Sequence, residues 1–240
     1  MSIMFVFLGV IGTIAAWWLS RQRLASKPWL EVGAIDDAGA SSLPAAKIGL
    51  GVFLAVVGAL FALFFSAYVM RMHMVETNLA DWKAPPLPGL LWLNTGVLIL
   101  SSGALQWARG AARHREMEAL KAGLIAGGVL SLAFLAGQLL AWRNLVDAGY
   151  FLASNPANAF FYLITGVHGL HVLGGLAALG ATLAKAWDGV AFDQMRLSVE
   201  LCAIYWHFLL LVWLVFFGLL LLTDPIRSES GLIAAICRVF

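Results

Sequence analysis

The chain has 240 residues, of which 62% are apolar and only 12% charged, and its mean hydropathy is +0.89. Soluble domains carry about 25% charged residues, so a globule of this size lacks the polar groups to face water all round and its surface must meet lipid. The net charge of +2, with no basic cluster interleaved with aromatic residues, excludes a nucleic-acid footprint.

In chain order, the first segment is Met1–Ser20, uncharged and followed by Arg21 and Arg23. A secretory signal places its basic residues before the apolar stretch, so this segment reads as a retained helix. Five further charge-free runs follow: Ile48–Met70, Ala84–Ala108, Ala122–Trp142, Ala148–Ala184 and Leu201–Thr223. A charged side chain at a helix centre costs about 2.5–3.5 kcal/mol and a span needs about 20 residues, so each run predicts one crossing. Pro85, Pro86 and Pro88 set the start of the third helix near Leu90. Ser154-Asn155-Pro156 reads as a turn, which starts the fifth near Asn158. None of the runs alternates with period two, which argues against a β-barrel. Backbone groups in lipid must bond within their own segment, so each run should be a helix. The expected architecture is an all-α membrane protein of about six transmembrane helices. Residues 1–20 form an N-terminal helix, 21–47 a loop, 48–223 a five-helix core and 224–240 a tail. The length of the 21–47 connection marks the first helix as an addition to that core.

The loops test this count. Numbering the spans in order places ten of the 15 Lys and Arg on one side, among them Lys47, Arg109, Lys185 and Arg196, and five on the other: Arg71, Lys83, Arg143, Arg227 and Arg238. By the positive-inside rule the first set is cytoplasmic and both termini lie outside, periplasmic in a bacterium. Trp17, Trp18, Trp82, Trp92, Trp107, Trp142 and Trp187 fall at or near span ends, where amphipathic rings prefer the headgroup level. The two cysteines, Cys202 and Cys237, fall on opposite sides and form neither CxxC nor a zinc spacing, so no disulfide is expected between them.

Polar residues inside spans are costly and hence the best functional leads. His168 and His171 stand at i, i+3 on one face of the fifth helix, and His207 lies on the sixth. One reading is a metal or haem site, since a catalytic metal wants three ligands and a b-type haem one His from each of two helices. No carboxylate or Cys is fixed nearby at a metal spacing. The plainer reading is hydrogen bonding across packed helices or to lipid headgroups. Glu200 and His207, seven apart on one face, read either as a proton relay or as an interhelical or headgroup contact. Asn94, Gln106 and Gln138 read as interhelical hydrogen bonds. Gly166, Gly169, Gly174 and Gly175 on the fifth helix let neighbouring backbones approach. His73 and His114 lie in or beside loops. No GxxxxGK[ST] or GxSxG occurs, and no pair of broken helices with charged midplane residues marks a transporter.

Three blocks together resemble subunit III of the haem–copper respiratory oxidases. The fifth span reads Phe160-Phe161-Tyr162-Leu163-Ile164-Thr165-Gly166-Val167-His168-Gly169-Leu170-His171-Val172, similar to the family's FF-x-x-T-G-x-H-G-x-H-V. The sixth carries Glu200, then His207 within Tyr205-Trp206-His207-Phe208, then Val212-Trp213-Leu214, similar to E-x6-H and Y-W-H-F-x-x-x-V-W-L. The third carries Leu93-Asn94-Thr95, Leu100-Ser101-Ser102-Gly103 and Trp107-Ala108, similar to L-N-T, L-S-S-G and W-A. The resemblance covers roughly 48–222. It implies a subunit without a redox centre in a bacterial cytoplasmic membrane. The haems and copper would sit on its partners, subunit I (in direct contact) and subunit II, and phospholipid would fill a cleft between two helix groups. It also implies that the chain steadies subunit I and supports proton uptake. His168, His171, Glu200, Trp206 and His207 are then structural or lipid-binding residues rather than catalytic or metal-binding ones. Two acidic positions of the pattern are lost: Val57 stands for a Glu of the first core helix, and Leu209-Leu210 for a Val-Asp pair. The electron donor, cytochrome c or quinol, and the reduced gas, O2 or NO, are decided on other subunits. A b-type cytochrome using His168, His171 and His207 is the alternative of another class, and a small-molecule transporter a third.

Overall fold

A computed structural model describes residues 45–74, 89–188 and 192–223. The first predicted span, Pro85, Pro86, Pro88, the tail with Cys237 and the side chain of His73 lie outside the described residues. Every described element is helical: α1 Ala45–Met74, α2 Leu90–His114, α3 Met117–Asp147, α4 Pro156–Trp187 and α5 Phe192–Thr223. These are the five helices expected of the core. α1 already includes Ala45–Lys47, which the sequence reading gave to the preceding loop.

Local chemistry sets the ends. α2 starts at Leu90, where the prolines placed it. It stops at Arg115, which takes the left-handed conformation at φ 61° and returns its N–H to Ala111 O. The connection to α3 is therefore minimal and the two helices run antiparallel. α4 begins two residues before the expected Asn158: the Asn155 side chain accepts the N–H of Ala157 at 2.9 Å, and Pro156 fills the first helical position, where a missing N–H costs nothing. α1, α3, α4 and α5 are each long and apolar enough to cross a membrane. α2, 25 residues long, is the least apolar of the five, because it carries Asn94, Ser101, Ser102 and Gln106. Its polar groups are tolerable where neighbouring helices satisfy them.

α2 has a seven-residue repeat that determines how the bundle packs. Leu91, Leu98 and Leu105 are fully buried and form its core seam. Asn94, Ser101 and Ala108 face α3. There Gly123 lets Ala108 approach, Gly127 admits Leu105 and Gly137 admits Asn94, so that an added Cβ at any of the three would collide. Thr95, Ser102 and Arg109 face α5 and bond Trp213, His207 and Glu200 in turn. α5 is the central helix, with Trp206 and Trp213 among the largest fully buried side chains. α1 is held differently: a second apolar cluster of Val57, Phe61, Tyr68, Ile164, Val212, Phe216 and Leu219 fixes one end of it. Large apolar side chains such as Val56, Leu63, Leu132, Leu170 and Leu211 line the outside, as expected of a lipid-facing surface.

Candidate functional site

Most of the polar residues singled out in the sequence lie at the seams of α5. Nearest the end that carries the basic loops, the Glu200 carboxylate receives Lys47 Nζ of α1 at 2.8 Å and Arg109 Nη2 of α2 at 2.9 Å. All three side chains are partly exposed, at 21–26%. One carboxylate between two cations leaves a net positive charge there, and Arg109 Nε is buried with no partner among the described residues.

Further along α5, His207 sits between two α2 side chains. Its Nε2 meets Gln106 Oε1 at 3.1 Å and its Nδ1 meets Ser102 Oγ. Gln106 Oε1 only accepts, so Nε2 carries the proton and Nδ1 accepts from the serine hydroxyl. Glu200 and His207 share the α2-facing side of α5, as their spacing predicted, but each has its own partners. Beyond them, Trp213 Nε1 donates to Thr95 Oγ1 at 3.0 Å. Trp206 Nε1 donates to Ser131 Oγ of α3 at 2.9 Å, and Ser131 in turn bonds Gly127 O and Ser101.

His168 and His171 part company. His168 is wholly buried, ringed by Phe61, Phe134 and Trp213 at centroid distances of 6.4, 5.7 and 5.1 Å, and its Nε2 lies 3.1 Å from Leu209 O. His171 Nδ1 donates to Val167 O in its own helix at 2.8 Å, and its ring packs on Phe61 of α1 at 5.3 Å. Tyr205 Oη donates to His171 O at 2.8 Å. Among the described residues no group of three or more His, Cys, Asp or Glu side chains is placed to hold a metal. His168 and His207 each spend a ring nitrogen on a different helix, so the three histidines do not converge. Asn94 Nδ2 reaches Gln138 Oε1 at 2.9 Å, the interhelical bond expected of those residues.

Of the four glycines picked out on the fifth span, Gly175 lies against Tyr205 and Trp206, Gly166 faces Trp142 and Gly169 faces Leu135, while a Cβ at Gly174 would meet no neighbour within 4 Å among the described residues. Gly174 instead lines an apolar groove of about 270 Å³ together with Leu50, Phe53, Ala178, Cys202 and Tyr205. Val57 and Leu209, at or beside the lost acidic positions, are buried in apolar surroundings. Sequence reasoning missed Lys47 and Arg109 as partners of Glu200, and Gly123, Gly127 and Gly137 as contact glycines. The seven-residue recurrence of Leu91, Leu98 and Leu105 was a signal for the seam of α2, but not for the partners that meet it.

Comparison with known proteins places this geometry. Residues 4–222 match the profile of the family described as cytochrome c oxidase subunit III. The chain belongs to the cytochrome c oxidase subunit III family. A relative named probable cytochrome c oxidase subunit 3 from Mycobacterium tuberculosis is 32% identical over 161 residues, covering 66% of this chain and 76% of the relative. Cytochrome c oxidase subunit 3 of Thermostichus vulcanus is 30% identical over 177 residues, covering 72% and 85%. Cytochrome bo(3) ubiquinol oxidase subunit 3 of Pseudomonas aeruginosa is 26% identical over 187 residues, covering 78% and 89%. The subunit III match begins at residue 4, so it takes in the first predicted span, which the three motif blocks did not reach. With its long apolar helices, this subunit III family member is a multi-pass membrane protein, part of a haem–copper oxidase complex.

Proposed function

We propose that the chain is the non-redox subunit III of a cytochrome c oxidase, seated in a bacterial cytoplasmic membrane with its Lys47 end in the cytoplasm. In this reading it steadies the haem- and copper-bearing subunit I, sits in one complex with subunit II, holds phospholipid and supports proton uptake during O2 reduction. The observation that carries it is the use made of the signature side chains. His168, Glu200, Trp206 and His207 each tie α5 to another helix, which is the work of a scaffold rather than of a ligand set. Phospholipid has a fitting place. The α1–α4–α5 groove takes an acyl chain, and the excess positive charge of Lys47 and Arg109 around Glu200 suits an anionic headgroup. A quinol oxidase is the second reading, favoured by the relative whose name specifies a ubiquinol oxidase.

The test is mild-detergent purification through a tag on this chain, followed by mass spectrometry and an absorption spectrum. Haem-containing subunit I is expected in the eluate, and the chain separated from it is expected to be colourless. Stoichiometric porphyrin or metal on the isolated chain, without an oxidase companion, would overturn the proposal.

A further inference from the structure

We propose that one buried water bridges Gln138 Nε2 and His168 Nδ1, closing a hydrogen-bonded chain that runs through four helices. The proposal rests on two complementary orphans. Asn94 Nδ2 donates to Phe134 O at 3.3 Å as well as to Gln138. A backbone carbonyl only accepts, which fixes the Asn94 amide. The Gln138 atom that Asn94 meets at 2.9 Å is therefore the acceptor Oε1, and the Gln138 NH2 group is the free end. The same logic applies to His168. Its Nε2 faces Leu209 O at 3.1 Å and so carries the ring proton, leaving Nδ1 as a bare lone pair. Gln138 is 4% exposed and His168 1%, and neither Gln138 Nε2 nor His168 Nδ1 has a partner among the described residues. One is a pure donor and the other a pure acceptor.

Register brings the two to the same depth. Trp142 of α3 meets Thr165 and Gly166 of α4, and Leu135 meets Gly169. Gln138 lies between Leu135 and Trp142, as His168 lies between Thr165 and Gly169. Phe134, one turn from Gln138 on the same face, packs its ring on His168. Water is the ligand class that matches, because it accepts from the amide and donates to the imidazole with one atom. A metal ion fits the imidazole but meets an N–H donor from the other side. The completed chain runs Asn94, Gln138, water, His168, Leu209 O, crossing α2, α3, α4 and α5. His168 becomes the joint of that chain, a positioning residue and not a catalytic one.

The experiment uses the intact complex in lipid. A cryo-electron-microscopy map that resolves ordered water is expected to show a peak within about 2.7–3.2 Å of both atoms. Nitrogen NMR of histidine-labelled complex gives a readout that a packing role alone would not move. Gln138→Met keeps the volume and removes the donor, so the Nδ1 resonance of His168 should shift toward that of an unbonded acceptor while Nε2 stays in place. A map with Gln138 bonded directly to His168, no density between them, a protonated Nδ1, or an Nδ1 resonance indifferent to Gln138→Met would each overturn the proposal. The wild-type map decides alone if the variant does not assemble.

Discussion

Glycine illustrates how little a residue type says before its neighbours are known. Gly137 and Gly174 both sit inside apolar helices. Gly137 lies against the Asn94 amide, and an added methyl would collide with Oδ1 and displace the bond to Gln138. At Gly174 an added methyl meets nothing within 4 Å among the described residues. Gly137→Ala is therefore expected to cost about 1–3 kcal/mol through overpacking. Gly174→Ala should gain about 0.5–1 kcal/mol, the ordinary cost of glycine in a helix interior. Thermal or denaturing-detergent unfolding of the complex measures both, and opposite signs are the expected outcome. A loss at Gly174 would mean that something outside the described residues packs there. Gly174 was legible from its apolar setting as a helix residue but not as an open one. Gly137 was passed over because the contact that requires it comes from a residue 43 positions earlier in the chain.

Among the helices, α1 and α2 are held by opposite means. α2 is zipped along its whole length to α3 and α5 by its seven-residue repeat. α1 has an aromatic clamp at one end, where Phe61 and Tyr68 meet Phe216 and Phe160, and the Lys47–Glu200 ion pair at the other, with the groove between α1 and its neighbours at that second end. Glu200→Gln removes the charge that holds Lys47 and Arg109 together. The pair is partly exposed and so worth about 1 kcal/mol at most. That suffices to loosen one end of a helix with few other ties there. Hydrogen exchange of the backbone over residues 46–56 is expected to quicken while residues 57–68 stay unchanged. Uniform acceleration along α1 would show that the aromatic end is not a separate anchor. The helices themselves were legible because the membrane makes the absence of charge a strong and local signal. The start of α2 followed from its prolines. The pairings were not legible, because Lys47 and Arg109 reach Glu200 from 153 and 91 residues away and no periodicity announces such a meeting. In the third span the polar residues lower the hydropathy, and Asn94, Ser101, Ser102 and Gln106 each bond a neighbouring helix.

For the whole molecule, a scaffold and a catalyst respond differently to the same damage. His168→Ala empties a site ringed by Phe61, Phe134 and Trp213, a change of the kind that costs about 2–5 kcal/mol in a packed core. Glu200→Ala removes the ion pairs that tie Lys47 of α1 and Arg109 of α2 to α5. Each 1.4 kcal/mol that passes into the subunit contact weakens retention about tenfold. Both variants are expected to lower the amount of this chain, or of phospholipid, that stays with the oxidase after detergent washing. The initial rate of O2 reduction, measured before washing, should change by less than about twofold, since none of these groups touches a redox centre in this reading. Two measurements on one preparation separate the cases: subunit stoichiometry by mass spectrometry and turnover over the first seconds by oxygen electrode. A fully assembled complex that fails in its first turnovers would place His168 or Glu200 on the catalytic path and reject the scaffold role. Partial loss of the chain with normal early turnover is the pattern a scaffold subunit produces.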